Sequence, residues 1–224
     1  MKIIGIEHKV TLNQDMENYL KKVAGAISYS PDIVVGPDYG LSFLDKKGKI
    51  RFDLRDKIIK NLEEMSSTSP NTLLIPGTTP FLLGGDKMGR SAMIFRNGRK
   101  INEFRKETAV GDYEIATKNG LEYERGDSSR NKLVHHGKKI TVEICSDHGK
   151  QIVDKDTFLE AILTYDDNAG FWIRPNNDSF SRYVLVVDGR APKIEGFSFN
   201  CDTKKPTFLK EKIIGDLHIF ELED

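Results

Sequence analysis

One thiol, one ammonium group and one carboxylate in this sequence each stand just after a stretch patterned as a β-strand. Cys145 closes the run Ile140-Thr141-Val142-Glu143-Ile144-Cys145, and Ser146-Asp147-His148-Gly149 then turns the chain. Lys106 follows Lys100–Arg105, the second arm of a hairpin whose first arm is Ser91–Arg96. The Asn97-Gly98 pair between the arms is the strongest short-range hairpin signal a sequence offers. Asp38 follows Asp32-Ile33-Val34-Val35 and the abrupt stop Gly36-Pro37. In open α/β sheets, reactive side chains gather outside the carboxyl ends of strands, where loops present them. A thiol beside a cation is a nucleophile, and a carboxylate within reach can move its proton. Taken singly, each residue has a plainer reading: Cys145 as a buried structural cysteine, Lys106 as a surface lysine, Asp38 as a turn residue in Pro-Asp-Tyr-Gly.

The elements that must position these groups alternate in type along the first half. Lys2–His8 is patterned as a buried strand. Asn13–Ile27 follows as a helix with Met16, Leu20, Val23 and Ile27 on one face, and with Asn13 or Thr11 as its cap. The strand at Asp32–Val35 completes a βαβ unit, which argues for adjacent strands joined by a crossover. A second helix at Asp53–Met65 and a strand at Thr72–Gly77 repeat the pattern. Beyond the hairpin, Lys118–Arg130 is polar and expected as surface loop, and Asp154–Tyr165 as helix. Strands are expected at Phe171–Arg174, Tyr183–Val187, Gly196–Asn200 and Asp216–Glu223. There is no internal repeat and no linker, so residues 1–224 are expected to form a single α/β domain.

Composition narrows the classes of function. The 224 residues carry 34 Lys+Arg against 34 Asp+Glu, and zero net charge removes the electrostatic case for nucleic acid or an anionic membrane as partner. No apolar run approaches the roughly 18 residues of a membrane span, and the pattern of a signal peptide is missing. Two cysteines, Cys145 and Cys201, make no disulfide framework. A cytoplasmic protein acting on a small molecule is the expectation.

The order of these motifs resembles the carbon–nitrogen hydrolase (nitrilase) superfamily, whose members use a Glu-Lys-Cys triad. The family's strand ending in Pro-Glu is similar to Ile33-Val34-Val35-Gly36-Pro37-Asp38, and its strand with a Gly-Thr ending to Leu74-Ile75-Pro76-Gly77-Thr78. Its hairpin into Tyr-Arg-Lys resembles Ser91–Lys106, which ends Phe104-Arg105-Lys106. Its nucleophile motif, Ile-Cys-x-Asp, resembles Ile144-Cys145-Ser146-Asp147. The resemblance implies a four-layer αββα sandwich with a shortened C-terminal part. It also implies hydrolysis of a small linear amide, or of a nitrile, through a thioester on Cys145. In that chemistry Lys106 and the backbone N–H of Ser146 hold the developing oxyanion, and an acid at position 38 moves the proton. Glu114, eight residues past Lys106, matches a second glutamate that orients the lysine and the substrate in several members. No metal or organic cofactor is required. The family's dimer gives the expectation of a homodimer.

Two departures from the pattern matter. The family's catalytic glutamate is Asp38 here, and losing one methylene withdraws the carboxylate by about 1 Å, a misplacement that can cost about a hundredfold in rate. The family's Arg-Ala…Glu-Asn helix after the nucleophile has no counterpart, since Pro192 follows Gly189-Arg190-Ala191. A binding protein without catalysis on the same scaffold is therefore the alternative. Two rivals rest on other residues: a Cys-His hydrolase using His148 or one of His135 and His136, and a metal held by Cys145, Asp147, His148 and one of those histidines. Structural zinc prefers paired Cys or His ligands at recognised spacings, which are missing. Arg174, beside Phe171 and Trp172, is a candidate for holding a substrate carboxylate. If Lys106 and Asp38 activate the thiol, Cys145 reacts with iodoacetamide below the pH an unperturbed cysteine needs.

Overall fold

The computed structural model describes residues 1–11, 14–108, 111–148, 156–165, 181–199 and 205–223. The first half alternates as its periodicity predicts: β1 (Lys2–Ile6), α1 (Met16–Ser28), β2 (Ile33–Val35), α2 (Arg55–Ser67) and β3 (Leu73–Ile75). β1, β2 and β3 pair in parallel, Ile4 opposite Val34 and Val34 opposite Leu74. Then come β4 (Thr78–Gly84), β5 (Lys87–Arg96), β6 (Arg99–Arg105), α3 (Asp112–Lys118) and β7 (Glu122–Tyr123). The β5–β6 turn has both Asn97 (φ 49°) and Gly98 (φ 74°) in the left-handed region, the twist a two-residue hairpin needs. The second half is β8 (Lys132–His135), β9 (Lys138–Ile144), β10 (Thr157–Thr164), β11 (Tyr183–Asp188), β12 (Lys193–Phe199), β13 (Pro206–Phe208), β14 (Glu211–Ile214) and β15 (Leu217–Glu221).

Two sheets result. The first runs β14-β15-β1-β2-β3-β5-β4, with β6 and β7 also pairing on β5; the second runs β13-β12-β11-β10-β9-β8. Alternate residues of each meet in the core between them, Ile3, Val35 and Ile75 from one side and Val142, Ala161 and Leu185 from the other. The opposite face of the first sheet takes α1 and α2, whose Tyr19, Val23, Ile58 and Leu62 pack on Ile4, Val34 and Leu74. Side chains of this size stabilise the fold by roughly 1.5–3 kcal/mol each when fully buried. Three layers of the sandwich, helix-sheet-sheet, are thus laid out. On the outer face of the second sheet, Ile162, Val184, Val186, Phe197 and Phe199 form an apolar cluster of their own. No helix of the described residues lies on that face.

Three expectations need correction. Asp154–Tyr165 is not helical; Thr157–Thr164 is the strand β10, in parallel register with β9 and β11 on either side. All eight of its residues are buried, and a strand buried on both faces loses the alternation that would have distinguished it from a helix. The cap of α1 is Asp15, whose side chain accepts from the Glu17 N–H at 3.0 Å, rather than Thr11 or Asn13; Asn13 itself is outside the described residues. The expected loop Lys118–Arg130 begins in α3 and contains β7 and a 3-10 turn at Ser128–Arg130. The expected strand Phe171–Arg174, with Trp172, and Cys201 also lie outside the described residues. No helix among those described is long and apolar enough to cross a membrane.

Candidate active site

Asp38 is fixed by the crossing of two strand exits. Beyond β2 and β3 the chain turns at Gly36-Pro37 and Pro76-Gly77, close enough that a Cβ on Gly77 (φ +103°) would sit 2.3 Å from the Pro37 carbonyl oxygen. Thr78 Oγ1 donates to Asp38 Oδ1 at 2.5 Å and accepts the Tyr39 N–H at 2.8 Å. The carboxylate is fully buried.

Lys106 leaves β6 opposite Arg90 of β5, its N–H bonded to the Arg90 carbonyl at 2.8 Å. Both side chains are buried, a position lysine and arginine take only when paired. Lys106 Nζ donates to Asp112 Oδ2 at 2.7 Å. Arg90 spans the two carboxylates, Nη1 at 2.9 Å from Asp112 Oδ1 and Nη2 at 3.2 Å from Asp38 Oδ2. Its guanidinium carbon lies 4.0 Å from the Tyr39 ring centroid, and Tyr39 Oη donates to Asp112 Oδ1 at 2.8 Å. Two cations and two carboxylates thus close a quartet of balanced formal charge. Burial alone would lower the Arg90 pKa, but Asp38, Tyr39 and Asp112 together hold it well above the ordinary guanidinium value.

Cys145 follows β9 at φ +51°, in the left-handed region that a non-glycine residue rarely adopts, and opens a 3-10 turn over Cys145–Asp147. Asp147 ties this turn to the lysine segment, accepting the Glu107 N–H at 3.0 Å and the Thr108 N–H at 2.6 Å. Burial, and then the Asp38 charge, push the Cys145 thiol above its ordinary range; Lys106 and Arg90 pull it back by less. This direction is opposite to the activation that a neighbouring cation alone would give.

A cavity of about 560 Å³ opens over this turn, and its lining includes Cys145, Ser146, Arg90, Tyr39, Tyr165 and Glu114. Asp38 and Lys106 are not among its lining residues. The three expected site residues are thus joined indirectly: the charges of Asp38 and Lys106 act on the thiol, and Arg90 and Asp112 link them to each other. Glu114 lies on the exposed side of α3 at the cavity lining, where a substrate would meet it, while the carboxylate on Lys106 is Asp112. Helical spacing turns position 114 away from the side on which 112 points. Gly111 before an acidic first turn was the signal for Asp112 as a helix start. Arg90 had no signal, standing just ahead of the expected arm that began at Ser91.

The rival constellations do not assemble. His148 Nδ1 faces Glu143 and Glu160 rather than Cys145, and Asp147 serves backbone N–H groups. His135 Nε2 lies 3.0 Å from the Asp32 carbonyl oxygen. His148 is held protonated up to about 10: burial opposes this, and the bonds to Glu143 and Glu160 outweigh it. Arg174 lies outside the described residues.

Two facing sheets, helices on the outside of the first, and a cysteine at a strained strand exit define a nitrilase-like α/β sandwich. No protein-family model matches the sequence, and no curated relative matches it. Among solved structures, the chain is similar to the NitN amidase from Nesterenkonia sp. AN1 at a TM-score of 0.66 and 13% identity, covering 100% of this chain and 93% of that one. A cysteine-to-alanine mutant of the amidase from Nesterenkonia sp. AN1, in complex with butyramide, superposes at a TM-score of 0.65 and 13% identity, covering 99% and 90%. A further structure of it shows Michael addition of acrylamide at its active site cysteine, with a TM-score of 0.64, 13% identity and coverage of 100% and 93%.

Proposed function

We propose that this protein hydrolyses small linear amides through a thioester on Cys145. The carrying observation is the strained Cys145 at the wall of a cavity, with Asp38, Lys106 and Arg90 acting on its sulfur. The likeness to amidases supports the choice of amide over nitrile. In this reading Sγ attacks the amide carbonyl carbon as its proton passes to Asp38, the charged group that acts on the thiol most strongly. The Ser146 N–H holds the oxyanion, and the positive charges of Lys106 behind the cavity wall and of Arg90 at it add to that field. Asp38 then protonates the leaving nitrogen, the C–N bond breaks, and a thioester remains. Water attacks the thioester, giving its proton to Asp38, and the carboxylic acid departs as the thiol re-forms.

A second reading, a binding protein without turnover, draws on the commitment of Asp38 to Thr78, Tyr39 N–H and Arg90 behind the cavity wall. One experiment separates the two: ammonia release and intact mass after incubation with acetamide, propionamide and butyramide. Hydrolysis predicts ammonia and an acyl increment on the Cys145 peptide, both gone in Cys145→Ala. Amides that protect Cys145 from alkylation without releasing ammonia would establish the second reading. Undiminished ammonia release by Cys145→Ala would remove the thioester mechanism.

A further inference from the structure

The outer face of the second sheet carries a second ionisable cluster that the proposed hydrolysis does not use. Ile140, Val142 and Ile144 of β9 point into the core between the sheets, so Glu143 points outward; Leu159, Ala161 and Leu163 do the same in β10, so Glu160 points outward. The register pairs Thr141 with Glu160 and Glu143 with Ile162, which makes the two glutamates diagonal neighbours. After the 3-10 turn the chain brings His148 over them. Its Nδ1 is bonded to Glu143 Oε2 and lies 3.1 Å from Glu160 Oε1. One donor atom from each of the three residues lies within 4.8 Å of the others.

Two features of this cluster point to a ligand. Glu143 is 0% exposed, yet its Oε1 has no hydrogen-bond partner, and a buried carboxylate oxygen left in that state is costly. Glu160, 6% exposed, has its other oxygen Oε2 held by Ser181 Oγ at 2.9 Å, the kind of outer hydrogen bond that fixes a metal-ligating carboxylate. The formal charges agree. In the metal-free cluster a proton balances them: burial, and then the Glu160 charge, push the Glu143 carboxyl up to about 8, so a neutral Glu143 leaves the imidazolium and the ionised Glu160 in balance. A divalent cation with a neutral imidazole and both carboxyls ionised closes the set at zero in its place.

We propose that Glu143, His148 and Glu160 bind one divalent transition-metal ion that pins the turn carrying Cys145 to β10. One imidazole nitrogen and two carboxylate oxygens are a borderline donor set, suited to Zn²⁺ over Mg²⁺. None of the three residues lines the cavity, which makes the ion structural. It braces the turn from both sides, since Glu143 precedes Cys145 and His148 follows it. This assignment stands whether or not Cys145 is a catalyst.

The test is calorimetric titration of the full chain, stripped with EDTA, with Zn²⁺ and separately with Mg²⁺, alongside metal analysis and thermal melts. The expected result is one equivalent of Zn²⁺, with the melting midpoint raised by about 5–10 °C at a hundredfold excess over Kd. Glu143→Gln/Glu160→Gln keeps the side-chain shapes and should weaken Zn²⁺ binding by about a hundredfold or more. Glu160→Gln alone serves if the double variant does not fold, and the same loss is expected. Cys145→Ser should bind Zn²⁺ as the parent does. Absence of Zn²⁺ binding by the parent, undiminished binding by the glutamine variants, loss of binding in Cys145→Ser, or Mg²⁺ binding as tight as Zn²⁺ would each overturn the assignment.

Discussion

The charged groups behind Cys145 on the first sheet and those beside it on the second are buried to a similar depth but composed differently. Asp38, Arg90, Asp112 and Lys106 are two anions and two cations, linked in series by contacts of 2.7–3.2 Å. Glu143, Glu160 and His148 are two carboxyls with one imidazole; both clusters hold a carboxyl oxygen without a hydrogen bond, but Asp38 Oδ2 in the first still faces Arg90 Nη2 at 3.2 Å. A buried ionic network is tolerated when its members satisfy one another, and removing one member exposes the desolvation penalty of the rest. The first cluster is closed in this sense and should respond to substitution as a unit. The second is open, and its response should depend on what is bound to it.

The largest expected effect comes from Cys145, the sulfur on which the first cluster acts. Cys145→Ala should abolish ammonia release from small amides, while a far-ultraviolet spectrum like that of the parent shows an intact fold. Asp38→Asn keeps the packing but removes the base, and should lower kcat by about 10²–10⁴-fold. An Asp38→Asn enzyme with parental kcat would take the proton-transfer role away from this carboxylate.

Arg90→Leu tests closure of the first cluster. It leaves Asp38 and Asp112 buried with only Lys106 as cation, and should destabilise the fold by about 3–5 kcal/mol in urea unfolding. Arg90→Leu within about 1 kcal/mol of the parent would show that the quartet is not a unit.

Much of this contrast was hidden in the sequence, for reasons that differ by residue. Asp38, Lys106 and Cys145 were legible because glycine, proline or a hairpin turn marks the strand each one follows. Arg90 was not, because the expected arm began only at Ser91, whereas β5 starts at Lys87, and a charge just ahead of a strand reads as solvent-facing. Only the carboxylates arriving from Asp38 and Asp112, 52 positions before and 22 after it, make its burial tolerable. Glu143 and Glu160 were hidden too: Glu143 alternates with apolar neighbours as an outward polar residue of a half-exposed strand would, Glu160 reads as the polar side of a helix, and both are buried. β10 was mistaken for a helix because its apolar residues occupy both faces. The layered fold was legible from the βαβ pattern of the first 75 residues, where each helix has a single apolar face.

Alkylation reads the first cluster from the sulfur's side. With the thiol pushed up by burial and by Asp38, Cys145 should react with iodoacetamide at pH 7 more slowly than free cysteine. Removing the anion in Asp38→Asn should speed that reaction, by about tenfold for each unit the thiol falls while the thiolate remains the minor form. Peptide-level mass spectrometry separates Cys145 from Cys201. A rate at or above that of free cysteine in the parent would place the balance of charges around the sulfur on the side of Lys106 and Arg90.

The smallest effect is expected where the second cluster is open. Glu143→Gln in protein stripped of metal replaces one of two neighbouring carboxylates by a neutral group of the same shape. The amide can still meet His148 and Glu160, and it replaces a carboxyl that burial already pushes up to about 8. Its unfolding free energy should therefore stay within about 1 kcal/mol of the parent, in contrast to Arg90→Leu. Zinc should restore a difference between parent and variant, because only the parent gains from the ion. A loss of about 3 kcal/mol or more in metal-free Glu143→Gln would mean that this cluster is a closed salt bridge like the first, with both glutamates required as anions beside the imidazolium.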